Sequence, residues 1–137
     1  MREDIIEPER LAAASIATVF IVTESVVTVV LVVASCRAAT GRLARNQLTG
    51  IRTPSTMRSD QAWVAGHRAA WRLAPLHGAN AVIACGLLLA VIVRSWPPGP
   101  VILLGIGCLV AFIGIALYTA VIAGRAARRA TPHDGRN

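Results

Sequence analysis

The chain has 137 residues, 55% of them hydrophobic and 15% charged, with a formal net charge of +7 and a mean hydropathy of +0.59. A single domain of that length is too apolar for the ordinary soluble class, which points to a membrane protein. All fourteen Lys/Arg positions are arginine and fall in the loops and end segments outside the apolar runs, and this pattern excludes the continuous basic face of a soluble nucleic-acid-binding domain.

In chain order, residues 1–10 carry Glu3, Asp4, Glu7 and Glu9 against two arginines. A cleaved leader would start basic and have a shorter apolar core, so the first span is expected to be retained. The runs 11–36, 73–93 and 101–123 share one formal charge, Glu24. Each exceeds the roughly 18 residues that mark a transmembrane helix and can cross a hydrocarbon core of about 30 Å. The expected fold is an all-α membrane protein with three transmembrane helices running up, down and up.

Segment 37–72 holds seven arginines and one aspartate, and segment 124–137 holds four and one. Arginine excess beside spans marks the cytoplasmic side. Residues 1–10 and the hairpin 94–100 are then external, and the motif loop 37–72 and the tail 124–137 are cytoplasmic, with frayed residues expected from Thr131 onward. The three cysteines, Cys36, Cys85 and Cys108, lie in or at the ends of spans without metal-ligand spacing and read as small apolar side chains.

Asn46, Gly50, Thr53, Pro54, Ser55 and Thr56 are turn and cap residues, which makes 46–58 a structured turn. Ser59 is placed to cap a helix over 59–72, with Asp60 at the positive end of its dipole and Pro75 just beyond its end. A helical projection puts Asp60, Trp63, His67, Ala70 and Trp71 on one face and Gln61, Arg68 and Arg72 on another. The helix is amphipathic and expected to lie on the inner leaflet, with tryptophans at headgroup depth and arginines toward anionic lipid phosphates. A sharper expectation has Arg52, His67 and the amide end of the Ser59 helix converging on an anionic group or a partner's carboxylate.

The run Asn46-Gln-Leu-Thr-Gly50-Ile51-Arg52-Thr53-Pro54-Ser55-Thr56-Met57-Arg58-Ser59-Asp60-Gln-Ala-Trp63, followed by Gly66-His67-Arg68, resembles the signature of the SdpI family of bacterial multi-pass membrane proteins. Asn46, Gly50-Ile51-Arg52-Thr53, Thr56, Ser59, Trp63 and His67 carry the resemblance, with one span before the motif and two after it. The resemblance implies a bacterial cell-membrane location and a role related to the founding member's. That protein protects its own cell from a secreted toxic peptide and recruits a transcriptional repressor to the membrane. The founding member is longer, with additional spans.

Glu24 lies mid-span, where a carboxyl costs about 2.5 to 3.5 kcal/mol on insertion scales. Counted from level cytoplasmic ends, it is about 18 Å deep, whereas His77 and Asn80 are only about 6 to 10 Å deep. They are therefore expected to be poor direct partners for it. Protonation, a bond within its own helix, or a partner helix remain open. His77, Asn80 and Tyr118 share a depth and form an expected polar cluster. Gly107, Ala111 and Gly114 line one face of the third span, suited to close helix packing within the chain or between copies.

No paired carboxylates, phosphate-cradling glycine loop, nucleophile elbow or metal-ligand cluster is found. The expectation is a protein that is not an enzyme and has no cofactor or metal. Three small spans bury little of their own surface, so a homo-oligomer or larger membrane complex is expected, with a cytoplasmic protein partner for the loop and no nucleic acid. The readings are an immunity or signalling protein, an accessory subunit of a larger complex, and a minimal transporter.

Overall fold

In a computed structural model, which describes residues 3–130, the chain forms four helices. They are α1 (Glu3–Ala39), α2 (Asp60–Trp71), α3 (Ala74–Val93) and α4 (Pro98–Ala130), with no strand among the described residues. Three stretches, Glu7–Ala39, Ala74–Val93 and Pro98–Ala130, are long and apolar enough to cross a membrane. The expected fraying from Thr131 and the first two residues of the external segment lie outside the described residues.

The helices run past the apolar stretches at both ends. α1 already includes the acidic residues from Glu3 onward, and α4 continues through Arg125, Arg128 and Arg129, whose charges suit a helix C-terminus. α1 ends because Gly41 takes φ +72 and the turn closes with Leu43 N donating to Arg37 O at 3.0 Å, a left-handed cap that glycine adopts without steric cost. α3 ends in a similar turn at Ser95, with φ 53. Pro97 then bars continuation, and Pro98 starts α4 at the position where its missing N–H costs nothing.

The chain divides into two compact units, Met1–Thr28 with Gly78–Gly114, and Val29–His77 with Ile115–Asn137. The first contains an apolar core of Ala13, Ala17, Leu88, Val91 and Val101, with Ile16, Phe20, Ile21, Ile92 and Leu104 packed against it. Phe20 fills the space beside Gly105, where a Cβ would clash with its ring.

The second unit contains the 40–59 connection and α2. Its buried side chains include small or polar ones, Ala38, Ala62, Thr56, His67, Ala123 and Ala127, around one large ring, Trp63. In this unit α2 buries Ala62, Trp63, Gly66, His67 and Ala70. The projected face is thereby corrected: Trp63, His67 and Ala70 are on it, but Asp60 and Trp71 are exposed, and Ala62 and Gly66 take their places. Small residues fit there because α2 packs closely on protein. A Cβ on Gly66 would stand 2.7 Å from Thr56 Cγ2 and 3.1 Å from Ala123 O.

Candidate functional site

The loop motif folds back on α2 and spends its polar groups inside the unit. Asn46 starts it with an Asx turn, its Oδ1 accepting from Leu48 N at 2.9 Å and Thr49 N at 2.8 Å, while its Nδ2 donates to Ala44 O. Gly50 follows with φ +107. A Cβ there would lie 2.8 Å from both His67 Nε2 and Trp63 Cη2, so glycine is required by conformation and by space.

The next residue brings the backbone onto the histidine. Ile51 N donates to His67 Nε2 at 2.9 Å, and His67 Nδ1 lies 2.8 Å from Trp63 O. A backbone N–H can only donate, so Nε2 is unprotonated and the proton sits on Nδ1, which donates to the Trp63 carbonyl. Burial pushes the imidazole pKa below its usual value, partly opposed by that carbonyl bond. The Trp63 and His67 rings lie 4.1 Å apart, and Trp63 Nε1 donates to Leu43 O at 2.9 Å. Trp63 is 1% exposed and His67 0%.

Thr53 and Thr56 close the turn. Thr53 N donates to Thr56 Oγ1 at 2.9 Å, and that hydroxyl donates to Ile51 O at 2.7 Å. Ser59 caps α2 as expected, in extended conformation with Oγ accepting from Ala62 N at 3.1 Å.

Arginines fasten the outside of this clasp. Arg45 donates to Met57 O at 2.6 Å and pairs with Asp60 at 3.1 Å, Arg68 donates to Ala39 O, Arg128 to Ser55 Oγ at 3.1 Å, and Arg52 to Gln47 O.

Asn46, Gly50, Arg52, Thr53, Thr56, Ser59, Trp63 and His67 are thus brought together, but not as one surface. The expected convergence of Arg52 and His67 on an outside anion is corrected: Arg52 is exposed, whereas both His67 nitrogens are used internally. The reason is the Ile51 amide, which occupies the only ring nitrogen able to face a ligand. Leu48 stands 89% exposed at the loop tip, where neither periodicity nor charge in the sequence marks it.

The intramembrane residues divide between the units. In the first, Asn80 Nδ2 donates to Glu24 Oε1 at 2.6 Å, with Ser25 Oγ 3.6 Å from Cys85 Sγ one residue away. Glu24 therefore does have a direct partner, against the depth argument, which set the helix ends level. They are not level. Within the second unit, His77 meets Thr119 Oγ1 at 3.0 Å, although His77 sits about 4 Å from the start of α3 and Thr119 about 16 Å from the end of α4.

The expected His77–Asn80–Tyr118 cluster is likewise divided. Thr119 takes the role given to Tyr118, which is 53% exposed. Gly107, Ala111 and Gly114 are exposed, and a Cβ at Gly107 or Gly114 would meet nothing within 4 Å. Among the described residues no group of three or more His, Cys, Asp or Glu could hold a metal.

No curated protein and no solved structure matches the chain. Residues 42–123, well over half of it, match the SdpI/YfhL protein family. That stretch begins at the clasp and takes in α2, α3 and most of α4, and on it the chain belongs to the SdpI/YfhL protein family.

Proposed function

We propose that this membrane protein is an immunity or signalling protein of the bacterial cell membrane, with the clasp of residues 42–71 as a docking platform on its cytoplasmic side. The N-terminus is outside, the three long helices run up, down and up, and the platform and C-terminus face the anionic inner leaflet. The observation that carries this reading is the arginine surface of the second unit. All its described arginines are exposed, against a single described acid, Asp60, while Gly50, Trp63 and His67 lock the scaffold beneath.

Arg52, together with Leu48 at the loop tip, is the outward group that meets an acidic and apolar partner surface. Trp63 and His67 act by holding that surface rigid. The reading invokes no catalysis, cofactor or nucleic acid. The exposed small face of Gly107, Ala111 and Gly114 suits a second copy or a larger membrane complex.

The test separates platform from scaffold. Arg52→Ala and Leu48→Ser, expressed in the native host, should abolish protection from a secreted membrane-active peptide, or loss of a co-purifying partner should follow, at unchanged membrane abundance. If both variants protect and co-purify as the wild type does, the docking reading is wrong.

A second reading, a minimal transporter, is favoured by the Glu24–Asn80 pair. Glu24→Gln should then alter a proton-coupled flux, and unchanged flux removes it. An accessory-subunit role requires stoichiometric partners in mild detergent, and a lone monomer or homodimer removes that role.

A further inference from the structure

In the second unit, a cleft of about 480 Å³ opens between the 53–58 turn and α4, within the size range of small-molecule sites. Its α4 wall has a direction. Leu117, Val121, Gly124 and Arg128 recur at helical spacing and line the cleft, so one face of one helix passes from exposed apolar side chains to a guanidinium over about 16 Å. Leu117 is 63% exposed and Val121 48%, and both belong to a stretch long and apolar enough to span a membrane.

At the basic end, Arg128 is already oriented by Ser55 Oγ at 3.1 Å. Arg58, exposed, enters from the opposite wall. Thr53, whose hydroxyl accepts from Thr56 N at 3.2 Å, and Gly124 line the same space from turn and helix.

We propose that this cleft binds one anionic phospholipid, its phosphate between Arg58 and Arg128 and one acyl chain along Leu117 and Val121. Two guanidinium groups from facing walls match a phosphate's oxygens. The apolar continuation along the spanning helix matches a chain that a free phosphate does not have. An acidic peptide would leave the Leu117 end without a complementary group. The inference rests on the membrane character of the chain and is independent of the docking reading.

The experiment uses the full chain, delipidated in mild detergent and titrated with phosphatidylglycerol or phosphatidylcholine, with bound lipids counted by native mass spectrometry. One phosphatidylglycerol per chain should be retained in preference to phosphatidylcholine. Arg58→Gln, at an exposed position, should weaken that binding about tenfold. Val121→Trp, which fills the cleft and leaves the charge untouched, should weaken it comparably. Arg72→Gln and Arg125→Gln, exposed arginines outside the cleft, should change it less than about twofold.

Equal weakening by the outside arginines would overturn the proposal in favour of diffuse charge attraction. So would indifference to Val121→Trp, equal retention of phosphatidylcholine, or displacement by millimolar inorganic phosphate, which would make the site one for free anions.

Discussion

The unit of Met1–Thr28 and Gly78–Gly114 is held by aliphatic packing around Leu88 and Val101, whereas the unit of Val29–His77 and Ile115–Asn137 is held by side chains bonded to backbone. His67, Trp63, Thr56, Arg45 and Arg68 each reach a main-chain atom of another segment or turn. Aliphatic packing is non-directional and tolerates exchange at similar volume. A hydrogen bond to a buried amide requires one atom in one place, and its loss leaves that amide unsatisfied. The difference teaches why one unit reads in the sequence as composition and the other as a motif.

The sharpest way to break this contrast is at Gly50. Gly50→Val imposes a β-branched residue at φ +107 and drives a Cβ into His67 and Trp63. It should cost about 3 kcal/mol or more and release the clasp, read as loss of Trp63 protection from a soluble quencher. A similar-volume change in the first unit, Leu88→Met, should cost less than about 1.5 kcal/mol in the same detergent unfolding assay.

Next comes His67→Leu, which keeps the bulk but strands the Ile51 amide, at about 2 kcal/mol. The histidine also makes the clasp sensitive to acid. Its pKa is lower folded than unfolded, so the neutral ring favours the folded state. That contribution is complete above the ordinary histidine pKa of about 6.5 and is lost as pH falls below it. The unfolding midpoint should drop between pH 7.5 and pH 5, and that drop should be smaller in His67→Gln.

Smaller effects sharpen the same line. Ser59→Ala removes the α2 cap and should cost about 1 kcal/mol, measurable as a lower unfolding midpoint. Asn80→Leu removes the hydrogen bond to Glu24, and interhelical bonds of this kind average about 0.6 kcal/mol in membranes. A cost at Asn80 above that at His67 would reverse the ranking of the two units.

The three long helices and the Ser59 cap were legible because run length and cap chemistry are local properties of 11–36, 73–93, 101–123 and Ser59-Asp60. The motif residues were legible as a group through their resemblance to a family. Their direction was not. A projection of α2 ranks Trp71 with Trp63 by angle, but only the folded loop decides that Ile51 lies over His67 and that Gly66 admits Thr56. The Glu24–Asn80 bond was hidden for a related reason. Counting residues from helix ends taken as level does not give the relative depth of α1 and α3, which the folded pair itself sets. Thr119 was missed because a lone threonine in an apolar span has no pattern of its own. His77 in the neighbouring span was the one signal that a hydroxyl partner should be sought.

The central claim is that the motif is a closed clasp over a buried neutral histidine. Its most direct test is nitrogen-15 NMR of the full chain in detergent or nanodiscs, following the His67 ring and the Ile51 amide. The account predicts an imidazole protonated on Nδ1 alone at neutral pH, taking its second proton only below the ordinary histidine range, with an Ile51 amide protected from hydrogen exchange. A ring that titrates as a free histidine does, beside an Ile51 amide that exchanges at once, would contradict it.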